Sequence, residues 1–354
     1  MRKLTTGVVV TCLLFLLAAC GGSASSPNEA PDVSGSAPEV SGDPIKLTYA
    51  FFAPDGTFPA EQMKKWKEEL ESRTNGKVVV DLFTGGTLLT ADNMYEGVRN
   101  GVADIGLSAM TYEPGQYPLI SIAEMPSGYP SGKVASQALY DLMQEYPQEA
   151  FSDVKVITAF ATEPAFLMTR SPVASLEDLK GMQIRISGNS ADLLNSLGAS
   201  AVGMSQAETM EALQTGVIEG NVSSREVLLD LKQAELTSYF TDYPLTVTTF
   251  AAVMNMDKWN SLPADVQAVI EELGPEMGAW AGEYLDNHVQ EAIEWSKAEH
   301  GLEVVSLTPE EKQRWDEILQ PKQDELVAKL QSQGLPAEEF KQKLYELIEK
   351  YDQQ

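Results

Sequence analysis

"SLEDLKGMQIRISGN", residues 175–189, is followed a few residues on by "LGASAVGMSQAETMEALQTGVIEGNV", residues 197–222. The first piece carries the short strand pattern "MQIRISG". Successive side chains of a strand point to opposite faces, so Ile184 and Ile186 share one face and Arg185 takes the other. Its guanidinium then leaves one side of a sheet, and taken alone such an arginine reads as a surface ion-pair partner. In the second piece Ser205 and Glu208 have capping-box spacing, which puts a helix N-terminus a short way downstream, a place that favours anions. The helical "SADLLNSLGA", the strand "VGMS", the helix "QAETMEALQTG" and the short strand "IEGNV" complete an alternation of strand and helix. That alternation predicts an α/β lobe.

Upstream the same grammar occurs once more. "IKLTYAFF" alternates as a strand, and the next helix brings Met63, Trp66 and Leu70 to one face before stopping at Asn75-Gly76. "VVVDLF", "LTADNMYEGVRNG", "VADIGLSAM" and "SGKVASQALYDLMQEY" continue as strand, helix, strand and helix, a second α/β lobe over a mixed or parallel sheet. "DVKVITAFA" leads from there toward the stretch quoted first. Downstream, "TTFAAVMNM" reads as a strand. Residues 263–301 read as one very long helix or two, with Gly274-Pro275 as the expected break or kink. Thr308, Pro309 and Glu311 predict a capping box at the start of another helix, and an amphipathic helix ends the chain. No short-period repeat is present, which argues against a solenoid or propeller.

The N-terminus has a separate logic. Behind Arg2 and Lys3 the apolar run Val8 to Ala19 is 12 residues long, against the roughly 20 needed to span a bilayer as a helix. Residues 1–19 therefore read as a signal peptide. "LAAC" ends on Cys20 and resembles the lipobox of bacterial lipoproteins, whose thiol is lipidated; an ordinary secreted protein and a short uncleaved anchor are the alternatives. The only other cysteine, Cys12, lies inside the signal, so the mature chain has no disulfide to form. From Cys20 to residue 44 a Gly/Ser/Pro-rich stretch has almost no large apolar residue and reads as a disordered tether, with a reach on the order of 25–30 Å. The expected location is the extracytoplasmic face of the cell membrane, held by lipid.

The chain carries 52 acidic and 25 basic residues, a net charge of −27. Such a field repels nucleic acid and anionic headgroups, so any grip on an anion needs a local, preorganised basic site. Catalysis has little to stand on. The two histidines, His288 and His300, have no HExxH context, "GGT" at 85–87 lacks phosphate-loop spacing, and there is no GxSxG elbow or GxGxxG. No enzyme activity, metal or cofactor is expected.

Several segments, spread from residue 45 to about 275 and in the same order, resemble the extracytoplasmic solute receptors of TRAP transporters, the DctP family. They are "RTNGKVVVDLFTGGTL", "GVADIGL", "SLEDLKGMQIRI", "LGASAVGMSQAETMEALQTGVIEG" and "VMNMDKWNSLPADVQAVIEE". The resemblance implies a two-lobed, periplasmic-binding-protein-like α/β fold with a long helix crossing the lobes. It divides the body into 45–162 plus 249–287 as lobe I and 163–248 plus 288–354 as lobe II with the C-terminal helices. A small organic acid would bind in the cleft and pass to TRAP membrane subunits. The family's carboxylate-pairing arginine falls on Arg185, where a planar fork suits a carboxylate.

Departures from the family remove charge or polarity. Ser223 stands where an amide is common, Ala165 where some members have a second arginine, and Ala109 and Tyr112 where sugar-acid receptors place polar contacts. Ala201 replaces a common proline, which changes the expected loop. With "AFFAPDG" at the C-terminal end of the first strand, the cleft is expected to offer more aromatic wall than hydroxyl-matching groups. Candidate ligand contacts are Arg185, Phe51, Phe52, Ser108, Tyr112, Gln206, Ser223 and Phe250, with Arg225 as a replacement cation. Because neighbours on a strand face opposite sides, only one of Phe51 and Phe52 is expected at the cleft. The reading is a receptor for a small carboxylate with an apolar or aromatic body. A receptor for an ATP-driven importer or a sensor, and a secreted two-lobed enzyme, are the rivals.

Overall fold

The computed structural model describes residues 43–353, all within one compact unit. The signal segment, Cys20 and the tether up to residue 42 lie outside the described residues. The chain opens β1 (Ile45–Phe51), α1 (Phe58–Arg73), β2 (Val78–Phe83), α2 (Met94–Arg99), β3 (Ile105–Ala109), α3 (Ile120–Glu124), α4 (Gly132–Glu145) and β4 (Val154–Ala161). It continues as β5 (Ala165–Thr169), α5 (Leu176–Leu179), β6 (Gln183–Ile186), α6 (Ala191–Leu197), β7 (Ser200–Gly203), α7 (Thr209–Thr215), β8 (Gly220–Ser223), α8 (Val227–Asp230) and β9 (Tyr239–Thr246). It returns through β10 (Thr249–Asn255), α9 (Met256–Ser261) and α10 (Ala264–His300), and closes with β11 (Glu303–Val305), α11 (Pro309–Ser332) and α12 (Ala337–Asp352).

Two mixed sheets result, in the orders β2-β1-β3-β10-β4 and β11-β9-β5-β8-β6-β7. In the first, β1 runs parallel to β2 and β3, while β10 returns antiparallel between β3 and β4. In the second, β6 runs parallel to both β7 and β8. Parallel strands deliver the chain to the same edge of a sheet each time, so the loops after β1 and β3 face one edge and those after β6 and β8 another. Helix α1 buries Met63, Trp66 and Leu70 as the spacing predicts, and ends where Asn75 (φ 50°) and Gly76 (φ 76°) turn left-handed. Strands β5, β9 and β11 have no counterpart in the sequence reading.

Only two short strand linkers join the sheets, residues 162–164 and 247–248. They are bonded to each other: Thr162 N donates to the Thr248 carbonyl at 2.9 Å, and Thr248 N to Thr162 Oγ1 at 2.9 Å. Helix α10 crosses between the lobes as one continuous 37-residue element with Pro275 inside it, so the expected break does not occur. Gly274, Gly278 and Gly282 recur every fourth residue on one face. A Cβ at Gly278 would sit 2.6 Å from the Ala159 carbonyl oxygen, and one at Gly282 2.5 Å from that of Gly132. With no side chains on that face, the helix lies directly on β4 and α4, and Thr158 Oγ1 donates to the Gly274 carbonyl at 2.8 Å. This packing accompanies a helix that runs unbroken through its proline.

At the start of α11, Thr308 Oγ1 accepts from Glu311 N at 3.2 Å, but the return half of the expected capping box is missing. Glu311 instead accepts from Leu176 N at 2.6 Å and from Trp315 Nε1 at 3.1 Å, tying α11 to the second lobe. Further along α11, Val327 and Leu330 enter the core of the first lobe. Helix α12, grouped by the sequence reading with the second lobe, packs on α4 of the first. Phe340 and Leu344 are fully buried there, the Tyr146 ring lies 5.1 Å from that of Phe340, and Tyr351 Oη donates to Asp141 at 2.6 Å. An amphipathic face goes where a matching apolar surface exists, whatever its place in the chain. No helix among the described residues is long and apolar enough to cross a membrane.

Candidate functional site

Strand β6 places Arg185 between Val202 of β7 and Asn221 of β8. Ile184 and Ile186 bury into the second-lobe core as the alternation predicts. The guanidinium, however, is not a surface group: Arg185 is only 2% exposed. Its Nε and Nη2 donate to the Met204 carbonyl at 3.1 and 2.9 Å, and Nη1 lies 3.4 Å from both Asn221 Oδ1 and the Val222 carbonyl. Among the described residues no carboxylate lies within ion-pairing distance of it. Glu208, whose charge acts on it from farther off, caps Ser205 N and Oγ at 2.9 and 2.6 Å. Burial pulls the arginine pKa below its ordinary value. Neutral carbonyls orient this cation without cancelling it, so it favours an incoming anion.

The first lobe meets Arg185 through Tyr112, in the turn that follows β3. The Tyr112 hydroxyl oxygen accepts from Gln206 N at 2.9 Å and from Arg185 Nη2 at 3.4 Å. Two acceptances leave its own hydrogen available to donate. Gln206 has both side-chain polar atoms buried without a protein partner.

Between the lobes lies a cavity of about 50 Å³, room for a few waters. A ring-sized ligand therefore enters only when the lobes or their side chains move apart. Arg185, Phe51, Phe52, Tyr112, Gln206, Ser223 and Phe250 all line it. Phe52 meets Tyr112 edge-on at 5.3 Å, Phe58 meets Phe250 edge-on at 5.9 Å, and Phe250 stacks on Phe160 at 5.3 Å. The expectation that only one of Phe51 and Phe52 faces the cleft is corrected. Strand β1 ends at Phe51, so the alternation no longer binds Phe52 and both rings reach the cavity.

Two other candidates are not at the cavity. Ser108 is buried within β3 and does not line it. Arg225 is held by Glu163, which accepts from its Nε at 2.9 Å and its Nη2 at 2.7 Å, and its guanidinium lies over the Phe166 ring at 4.1 Å.

The sequence reading missed the acidic part of the cavity lining, Glu226 and Asp230 with Thr57 and Phe58; neither acid is among the charges that act on Arg185. Glu226 is 4% exposed; its Oε1 accepts from Ser224 Oγ at 2.8 Å, while Oε2 has no partner. Burial, reinforced by the charges of Asp230 and Glu163, pushes its carboxyl up to about 8. Asp230 reaches across to the first lobe, accepting from Phe58 N at 3.1 Å, and pairs with His288 Nε2 at 2.6 Å. The signal available was "SSREVLLD", in which two acids four residues apart follow a strand that ends at the cleft.

Residues 49–330 match the pattern of bacterial extracellular solute-binding protein family 7, DctP. The chain belongs to that family. It is 42% identical to a TRAP periplasmic solute binding protein from Desulfovibrio salexigens, with 87% of this chain and 97% of that one covered and a TM-score of 0.77. That relative is an open complex, with the C-terminus of a symmetry mate bound in its ligand-binding site. A marine metagenome TRAP solute binding protein specific for aromatic acid ligands, from an unidentified microbe and in complex with metahydroxyphenylacetate, is 27% identical. There 87% and 99% of the two chains are covered, and the TM-score is 0.82. The C4-dicarboxylate-binding periplasmic protein DctP of Rhodobacter capsulatus is 24% identical over 304 residues, 83% of this chain and 90% of that protein. As a family 7 member of the TRAP type, the protein is an extracytoplasmic solute-binding receptor, and these matches do not favour the ATP-driven importers also weighed from the sequence.

Proposed function

We propose that this receptor captures a small organic monocarboxylate with an apolar or aromatic body in the interlobe cavity, with Arg185 as the carboxylate anchor. The observation that carries the reading is a buried, oriented guanidinium with no acidic partner at the wall of a cavity. A bidentate carboxylate would supply the missing charge with two parallel hydrogen bonds. Among the described residues lining the cavity Arg185 is the only basic one; Glu226 and Asp230 also line it, and neither is among the charges that act on Arg185. A second carboxylate on the ligand would meet acids rather than a cation, which separates this site from one built for dicarboxylates. The aromatic lining of Phe51, Phe52, Phe58 and Phe250 suits a flat apolar body.

Binding without turnover then works by hinge motion at the paired linkers 162–164 and 247–248, the first lobe comprising 45–162 plus 249–287 and the second 163–248 plus the chain from 288 up to α12. Helix α12 travels with the first. The 42% identical open complex superposes less closely than the 27% identical relative, the order expected if the lobes here sit closer together. The ligand passes to TRAP membrane subunits, and lipid on Cys20 holds the receptor at the membrane's outer face. Cys20→Ser should move the protein from the membrane to the soluble fraction; a variant that stays with the membrane would remove the lipid anchor from the reading.

A thermal-shift screen of the purified protein against aromatic, aliphatic, hydroxylated and dicarboxylic acids tests the ligand class. Ligand at 100 times its Kd stabilises the native state by about 2.7 kcal/mol, a clear rise in Tm. A shift is expected with aromatic or aliphatic monocarboxylates. A shift with dicarboxylates alone would overturn the monocarboxylate reading.

A further inference from the structure

The acidic part of the cavity lining, whose carboxyl groups are not among the charges that act on Arg185, has a polarity of its own. Glu226 and Asp230 line the cavity, and the charge of Glu163 acts on Glu226; Asp230 is already matched by His288 and by Phe58 N, and Glu163 by Arg225. Among the described residues Glu226 has no cation. Its Oε1 is engaged by Ser224, and its buried Oε2 is left without any protein partner on a residue that lines the cavity. A polar atom removed from water and unpaired costs about 1–3 kcal/mol, which a ligand group bonded to it would relieve.

We infer that Glu226 is a specificity-determining residue, hydrogen-bonding a hydroxyl carried by the ligand on the end opposite its carboxylate, so that the preferred ligand is a hydroxylated monocarboxylate. The inference rests on Arg185 holding the carboxylate. Chemistry at the site favours a neutral hydroxyl over an ammonium. Burial and the neighbouring acids keep the Glu226 carboxyl protonated at neutral pH, so it presents one donor and one acceptor, the complement of an alcohol or phenol. An ammonium would require the carboxyl to ionise in a place that resists ionisation. Phe58 and Phe250, both buried, line the same cavity and supply apolar contact beside that hydroxyl.

Calorimetric titration of the wild-type protein with matched acids tests this: benzoate against 3- and 4-hydroxybenzoate, and phenylacetate against its 3- and 4-hydroxy derivatives. At least one hydroxylated acid should bind about tenfold or more tighter than its parent, the net worth of one good hydrogen bond. Glu226→Leu should bring the pair to within about threefold, while Glu226→Gln, which keeps a donor and an acceptor, should retain the preference and shows that the site is still folded. Equal affinity of parent and hydroxylated acids in the wild type would overturn the role of Glu226 while leaving the Arg185 anchor standing. The same holds if the preference survives in Glu226→Leu, or if 4-aminomethylbenzoate outbinds every hydroxylated acid. Failure of all these acids to bind would overturn the anchor and this inference together.

Discussion

Arg185→Met abolishes detectable carboxylate binding and leaves the melting temperature within a few degrees of wild type. Leaving a ligand carboxylate desolvated without its cation typically costs 2–5 kcal/mol, roughly a 30-fold to several-thousand-fold loss of affinity. Stability moves far less because two terms oppose each other. The Met204 carbonyl loses two charge-assisted bonds, at 2.9 and 3.1 Å, each on the order of 1.5–3 kcal/mol. Against this, the fold is freed of a buried cation that has no counter-ion among the described residues, and several kcal/mol of desolvation disappear with it. The contacts at 3.4 Å are too long to alter that balance. Titration calorimetry and thermal melts on the same sample check both halves. Unchanged affinity would return Arg185 to the ordinary structural arginines, and a collapse in Tm would mean that its role is to hold β6, β8 and the Met204 turn together.

Asp230→Asn weakens ligand binding about 10- to 100-fold and flattens the dependence of folding stability on pH. The carboxylate accepts from the first N–H of α1 across the cleft while pairing with His288. Thr57, which precedes that helix, makes no side-chain cap of its own, so Asp230 caps α1 from the opposite lobe. A bond that exists only when the lobes meet contributes to the closed state alone, and bonds to charged groups are worth about 1.5–3 kcal/mol.

The pH effect has a definite sign. The hydrogen bond to Asp230 raises the His288 pKa above 6.5. Its contribution to stability is full below about 6.5 and is lost as pH rises through the higher folded value. Glu226, raised from 4.5 to about 8 with Asp230 among the causes, acts in the same direction, since its folded form holds a proton between those values that the unfolded chain releases. Wild type therefore loses stability from about pH 5 to above pH 8, and the variant loses less. Chemical denaturation at pH 5, 7 and 9 reads the difference; parallel profiles would mean that neither group is coupled to Asp230.

Much of this site was legible before any coordinates. The placing of Arg185 opposite Ile184 and Ile186 followed from the two-residue period of a strand, and the aromatic pair at the end of β1 followed from where α/β sheets open their clefts. The same period misassigned Phe51 and Phe52, because it stops where the strand stops. Ser108 was a candidate that burial within β3 removed, and Arg225 looked available only because Glu163 is 62 residues away in the chain. Pro275 carried a real local signal for a break, overridden by three glycines that let α10 rest on β4.

Local pattern thus determined most of the strands and helices, though not β5, β9 or β11, together with the alternation that makes an α/β class and the face on which the key arginine stands. Those properties depend on side chains two to four residues apart. Only the tertiary structure decided that Arg185 has no counter-ion and Glu226 an unpaired oxygen among the described residues, and that α12 packs on the first lobe. It also brought Asp230 to the helix that begins at Phe58, 172 residues earlier. Charge compensation and desolvation are set by whichever groups the fold brings within a few ångströms, and no periodicity along the chain encodes that distance.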